Sequence, residues 1–210
     1  MISGCSIAAN FIQTSIMKKL LVLVSVLFLL ITGSAQDKPE GLFINSKAPN
    51  FSAKDQNGKD VSLKELKKKG KVVLVFYRGN WCPYCNKHLQ KLQDSLNLIT
   101  EKGATVVAIT PETSEGIAKT VEKTKATFPI IYDEEMKIAK NYQVSFKVDE
   151  RTTVRYKNSD IDLLKINNQK EPLLPVPAVY IVDKDGFVTY RFFESDYKKR
   201  VTVKEILANL

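Results

Sequence analysis

Apolar positions along this chain fall into two alternating rhythms. Residues 71–77, Lys-Val-Val-Leu-Val-Phe-Tyr, are β-branched or apolar on both faces, which predicts a central strand covered on both sides. A second such run fills 105–110, and shorter ones fill 130–132 and 178–182. Between them the period lengthens. Leu89, Leu92, Leu96 and Ile99 mark one face of a helix predicted over 83–102, ended by Gly103. Further helices are expected at 63–69 (stopped by Gly70), 114–126, 134–142 and 203–210. Residues 51–53 and 59–62 flank an Asn57-Gly58 turn signal and predict a hairpin. The Asp185-Gly186 turn joins 178–182 to 187–193 as an antiparallel pair. Strands alternating with helices and a hairpin at the end predict an α/β fold: a central mixed sheet with helices on both faces. Residues 145–176 are polar and irregular, too long for a plain connection, and are expected to form a lid or surface insertion with a short helix.

The first residues follow a different pattern. Met17-Lys18-Lys19 precedes an apolar run from Leu20 to Ile31 broken only by Ser25, and Thr32-Gly33-Ser34-Ala35 then offers small residues. A basic start, a short apolar stretch and a small-residue exit describe a secretory signal. The run falls short of the ~20 residues that span a bilayer, so stable membrane insertion after cleavage is not expected. The expected organisation is a signal peptide over 1–35, with Met17 as a second possible start, a leader over 36–45 and one domain over 46–210. Export to a periplasm or to the medium follows. The formal charge of +9 falls to +7 once Lys18 and Lys19 are removed, because no acid precedes Asp37. The excess is spread through runs such as Lys67-Lys68-Lys69, without aromatic interleaving or a nucleic-acid motif, and reads as solvated surface; no nucleic-acid partner is expected.

Cleavage also removes Cys5, leaving Cys82 and Cys85. One closely spaced pair is no disulfide framework, so the pair itself must explain the cysteines. Trp81-Cys82-Pro83-Tyr84-Cys85 stands between the buried strand and the amphipathic helix. That placement puts Cys82 at a helix N-terminus, where unpaired N–H groups and the macrodipole favour a thiolate. Pro83 suits a first turn, which has no N–H bond to lose. At ~100° per residue Cys85 falls near the centre of the apolar stripe, with Cys82 and His88 about 60° to either side. Cys85 is therefore expected to be the more buried sulfur, and Cys82 the more exposed one that attacks disulfides. The competing readings are an inert disulfide and half of a zinc site; His88 is the chain's one histidine and no second cysteine pair exists. His88 is read as a packing residue. No cofactor is called for.

Phe76-Tyr77-Arg78-Gly79-Asn80-Trp81-Cys82-Pro83-Tyr84-Cys85 and Pro175-Val176-Pro177-Ala178-Val179-Tyr180-Ile181-Val182-Asp183-Lys184-Asp185-Gly186 resemble the alkyl hydroperoxide reductase/thiol-specific antioxidant family, in its peroxiredoxin-like Cys-x-x-Cys branch. Asp196-Tyr197-Lys198-Lys199-Arg200 matches that branch as well, and the likeness spans about 45–210. It implies a thioredoxin-like fold and thiol-based reduction of hydroperoxides or disulfides. Lined up on Phe76-Tyr77, the family's peroxidatic cysteine falls on Cys85, its threonine on Cys82, its proline on Arg78 and its arginine on Pro177. Arg78 is thus a candidate cation near the sulfurs. Pro177, after Val176 and before a buried strand, matches the thioredoxin cis-proline that faces the dithiol. Trp81, beside Cys82, completes the supporting set.

Two chemistries follow from the resemblance. One is a peroxiredoxin-like peroxidase that reduces hydroperoxides through a Cys82–Cys85 dithiol/disulfide cycle and is recycled by a thioredoxin-type dithiol reductant. The other is a thiol-disulfide oxidoreductase acting on exported protein disulfides, with Pro177 shaping the groove. The family alignment makes Cys85 the attacker on peroxide, while the helix geometry makes it Cys82. A third reading, metal delivery through Cys82, Cys85 and His88, belongs to a different class.

Overall fold

A computed structural model describes residues 38–210; the signal peptide expected over 1–35 lies outside them. Five strands form the central sheet: β3 (Lys71–Phe76), β4 (Ala104–Thr110), β5 (Ile130–Tyr132), β8 (Ala178–Val182) and β9 (Val188–Phe193). Their order is β5-β4-β3-β8-β9. β3, β4 and β5 run parallel, β8 is antiparallel to β3 and β9 antiparallel to β8, so the sheet is mixed as expected. The β3 alternation assigns its side chains to two cores. Val72, Leu74 and Phe76 face one, with α1 (Leu63–Lys69) and α5 (Lys137–Asn141); Val73, Val75 and Tyr77 face the other, with α2 (Pro83–Asp94), α3 (Leu96–Glu101), α4 (Ser114–Thr124) and α8 (Val203–Ala208). Each fully buried valine or leucine of β3 contributes about 1.5–3 kcal/mol, which is why a strand without a polar face is stable only at the sheet's centre.

The hairpin β1 (Ser52–Lys54)/β2 (Asp60–Ser62) forms around Asn57-Gly58. Gly58 has φ +77°, and the Asp55 carboxylate accepts the N–H groups of Asn57 and Lys59. The described part of the expected leader is docked: Leu42 is buried in the first core and its N–H donates to the Tyr180 hydroxyl at 3.0 Å.

Four expectations change. The helix predicted over 83–102 is two helices, broken at Ser95 (φ −115°, ψ 14°). Asp94-Ser95 is weak helix-forming sequence, and the break still leaves Ile99 fully buried. The 134–142 helix opens as a 3-10 turn, because the Asp133 carboxylate accepts from the N–H groups of Ile138 and Ala139 at 2.7 Å each and so caps the chain further along. The 145–176 insertion is more ordered than expected. It folds as a hairpin, β6 (Ser145–Lys147) with β7 (Leu173–Pro175), enclosing α6 (Glu150–Lys157) and α7 (Leu163–Ile166).

Finally, no peptide bond among the described residues is cis, so the Val176–Pro177 bond is trans. The Val176 N–H donates to the Val144 carbonyl at 2.8 Å, continuing the β6–β7 ladder. That pairing holds the chain extended into β8, where the trans form fits and is intrinsically preferred.

Candidate active site

The site lies where β3 ends. Its last pairs are Phe76 with Ile109 of β4 and with Ala178 of β8, after which the chain turns through Arg78-Gly79-Asn80-Trp81 into α2. Pro177 precedes β8 by one residue, beside Tyr77 in register, and is buried. By alternation it shares the sheet face of Val179 and Ile181, the face that carries α2.

The turn is held from beneath by Glu112, whose fully buried carboxylate accepts the Asn80 N–H at 2.8 Å and the Asn80 side-chain amide at 2.6 Å. Burial pushes the Glu112 pKa up, and the two Asn80 bonds oppose that shift. Gly79 is required here. Its φ is +149°, and a Cβ would sit 2.6 Å from Trp81 Nε1 and 2.7 Å from the Glu112 carboxyl. Lys123 closes the turn from outside on the Asn80 carbonyl at 3.0 Å.

Cys82 is the N-cap of α2; its carbonyl accepts from the N–H groups of Cys85 and Asn86. Arg78 Nη2 lies 3.3 Å from Cys82 Sγ. A hydrogen bond from the Cys85 thiol, with the Arg78 charge and hydrogen bond behind it, holds Cys82 down at about 5 although burial pushes the other way. Burial, then the hydrogen bond with Cys82 and its charge, push Cys85 well above the ordinary thiol range. The pair therefore stands as a thiolate at Cys82 and a thiol at Cys85.

The exposure expected of Cys82 is absent: both residues have 0% exposure. The helical wheel ignored what closes over the helix end. Arg78, only 4% exposed, lies 3.9 Å from the Tyr197 ring centre and 4.9 Å from that of Trp81. Its Nη1 donates to the Tyr156 hydroxyl at 2.9 Å, and the Tyr156 and Trp81 rings pack at 5.2 Å. Tyr156 comes from α6 and Tyr197 from the segment after β9, so the insertion borders the site. A second arginine, Arg200, places Nη2 3.3 Å from Cys85 Sγ.

Arg78, Trp81, Cys82 and Cys85 thus meet in one constellation, with Pro177 at the adjoining strand end. Tyr156, Glu112 and Arg200 were missed from the sequence. Arg200 belongs to the tail segment that resembles the family, which was its one signal; nothing marked Tyr156 or Glu112. His88 is buried, with Nε2 lacking a hydrogen-bond partner, and burial first, then the Arg200 and Lys91 charges, push it down to about 3. Among the described residues no group of three or more His, Cys, Asp or Glu is placed to hold a metal ion.

Fold and site together define a thioredoxin-like α/β protein with a dithiol at a helix N-terminus. The profile of the AhpC/TSA family matches residues 44–191, and the chain belongs to that family. It is similar to the thiol-disulfide oxidoreductase ResA of Bacillus cereus, at 27% identity over 175 residues, 83% of this chain and 83% of that protein. It is also similar to the chloroplastic peroxiredoxin Q of Sedum lineare, at 34% identity over 132 residues, 60% of this chain and 70% of that protein. Among solved structures, peroxidoxin BcpB from Mycobacterium tuberculosis superposes with a TM-score of 0.61 at 20% identity, covering 79% of this chain and 94% of that one. The thioredoxin domain of a thiol-disulfide oxidoreductase from Bacteroides vulgatus gives 0.52 at 20% identity, covering 75% and 93%. At such identities the structural matches speak to fold alone.

Proposed function

We propose that the protein is a peroxiredoxin-like thiol oxidoreductase in which the Cys82 thiolate attacks hydroperoxides. The observation that carries this reading is the Arg78 guanidinium, 3.3 Å from Cys82 Sγ in a compartment closed to bulk water. Cys82 Sγ attacks the terminal peroxide oxygen; the O–O bond breaks, its electron pair leaves with the alcohol or water oxygen, and Cys82 becomes a sulfenic acid. Arg78, whose Nε has no hydrogen-bond partner, supplies positive charge where the departing oxygen becomes negative. Cys85 then attacks the sulfenic sulfur; water leaves, carrying the Cys85 proton, and the Cys82–Cys85 disulfide forms. An external thiol reductant restores the dithiol. This assigns attack to Cys82, against the family alignment, because Cys85 is the protonated member of the pair.

A second reading, exchange with disulfides of exported proteins, draws on the similarity to ResA over most of the chain and on Pro177 at the strand end beside the dithiol turn. The insertion acts as the access gate in either case, through Tyr156. Export is proposed on the basic start, short apolar run and small-residue exit before Gln36. No helix among the described residues is long and apolar enough to cross a membrane.

Stopped-flow mixing of the reduced protein with hydrogen peroxide and with cumene hydroperoxide, followed by Trp81 fluorescence, tests the peroxidase. Oxidation much faster than that of free cysteine is expected, abolished in Cys82→Ser and leaving a trappable sulfenic acid in Cys85→Ser. A rate no better than free cysteine, with turnover of a mixed disulfide, establishes the second reading instead.

A further inference from the structure

A cavity of about 640 Å³ opens between α2 and the segment leading into α8. Lys87, Lys91, Lys198 and Arg200 line it, against the single carboxylate of Asp94. Among the described residues none of these four cations is paired with a carboxylate; the ion pairs lie elsewhere. Buried His88 forms part of the wall and stays neutral, so the positive charge comes from the lysines and the arginine. Neither sulfur lines the cavity; Arg200 in its wall connects the cavity to the dithiol. Arg200 lines it and places Nη2 3.3 Å from Cys85 Sγ, while Tyr84 and His88, which flank Cys85 on α2, also line it.

A pocket in which four cations face one carboxylate concentrates anions, and the arginine in its wall touches Cys85, not the thiolate that meets peroxide. Both sulfurs have 0% exposure, so a small molecule entering beside Arg200 reaches Cys85 with less rearrangement than a folded partner needs. We propose that this cavity binds the carboxylates of a small anionic thiol, which reduces the Cys82–Cys85 disulfide by attacking Cys85. The inference rests on the dithiol cycle above and names the class of its reductant. The incoming thiolate forms a bond to Cys85 Sγ, the S–S bond breaks, and its electron pair goes to Cys82 Sγ, beside Arg78. Cys82 is the better leaving group of the two, being the thiolate of the pair at rest. A second thiolate then attacks the sulfur of the first reductant molecule in the mixed disulfide. Cys85 leaves as a thiolate and takes up a proton, and the two reductant molecules depart joined as a disulfide.

The test uses protein oxidised with diamide, so that it does not depend on peroxide chemistry. Failure of diamide to form the disulfide would count against the dithiol cycle; the reduction rates bear on the cavity. Reduction is timed with mercaptosuccinate (dianionic), 2-mercaptoethanol (neutral) and cysteamine (cationic), each rate divided by that thiol's rate with a small-molecule disulfide. At low salt the normalised rate for mercaptosuccinate should exceed that for cysteamine by about tenfold or more. The advantage should shrink in the double variant Lys87→Gln/Lys91→Gln, whose side chains are exposed, and with added salt. With Cys82 blocked by alkylation as it is released, mass spectrometry should locate the reductant on Cys85. Equal normalised rates, a preference insensitive to the lysines, or a reductant adduct on Cys82 overturns the proposal.

Discussion

Arg78 Nη2 and Cys82 Sγ stand 3.3 Å apart across a single turn of chain, a cation four residues before the thiol it serves. Burial alone would raise a thiol pKa. The Cys85 hydrogen bond and this contact reverse the direction and bring Cys82 down to about 5. Replacing Arg78 with Met should raise the Cys82 pKa and lower the thiolate fraction near pH ~6 about tenfold or more. Thiolate ultraviolet absorbance against pH measures it, and Arg78→Lys should recover part of the loss.

The rate of Cys82 alkylation by iodoacetamide should rise with pH, reach half its maximum at about 5 and stay flat through neutrality. Cys85→Ala removes the thiol that donates to Cys82 Sγ and puts no donor in its place, and should move the midpoint upward. An unmoved midpoint would assign the whole effect to Arg78.

His88 predicts an acid-side loss of stability. Its folded pKa is depressed to about 3, so the unfolded chain takes up a proton near pH ~6.5 that the folded one refuses. Stability is fully present above ~6.5 and is lost as pH falls, about 2 kcal/mol by pH ~5. Asp133, raised to about 6 chiefly by burial, acts with the opposite sign between its unfolded pKa of ~3.9 and its folded one. Urea unfolding of wild type and His88→Leu at both ends of the range isolates His88: the variant should lack the His88 component of the slope.

Tyr156 ties the insertion to the site through Arg78 Nη1 at 2.9 Å and the Trp81 ring at 5.2 Å. Tyr156→Ala should uncover Cys82, so that alkylation at saturating pH quickens several-fold and Trp81 fluorescence changes. Tyr156→Phe keeps the cover and loses only the hydroxyl, and should change alkylation much less. Equal effects would place the gate elsewhere.

Gly79→Ala should destabilise the protein by about 1–3 kcal/mol, because its φ of +149° strains any side chain and its Cβ would collide with Trp81 and Glu112. Glu112→Ala should cost up to a similar ~1–3 kcal/mol by taking the acceptor from the half-buried Asn80 N–H. Urea unfolding measures both. Each should also raise the Cys82 pKa, since Gly79 and Asn80 set the path from Arg78 to Cys82.

Features encoded within a few residues were legible in the chain itself. The Asn57-Gly58 hairpin, α1 stopped at Gly70, β5, β8 and the placement of Cys82 at the start of a helix all follow from local periodicity and turn chemistry. Ser95 and Asp133 show where locality fails. Apolar spacing continued across a break that one serine's backbone made, and a buried carboxylate reset the start of α5. Pro177 shows that a family motif does not by itself decide a peptide bond's isomer; pairing of Val176 with Val144 bears on it too.

From sequence alone came the mixed sheet, the pair Cys82 and Cys85 at a strand–helix junction, and the nearness of Arg78 and Trp81. These are relations across one turn of chain, which backbone geometry nearly dictates. Tertiary structure decided that both sulfurs are covered, that Tyr156 holds Arg78 across 78 residues, and that Arg200 reaches Cys85 across 115. Such contacts depend on how whole elements dock. No local period of side chains records that docking, and it is what covers both sulfurs.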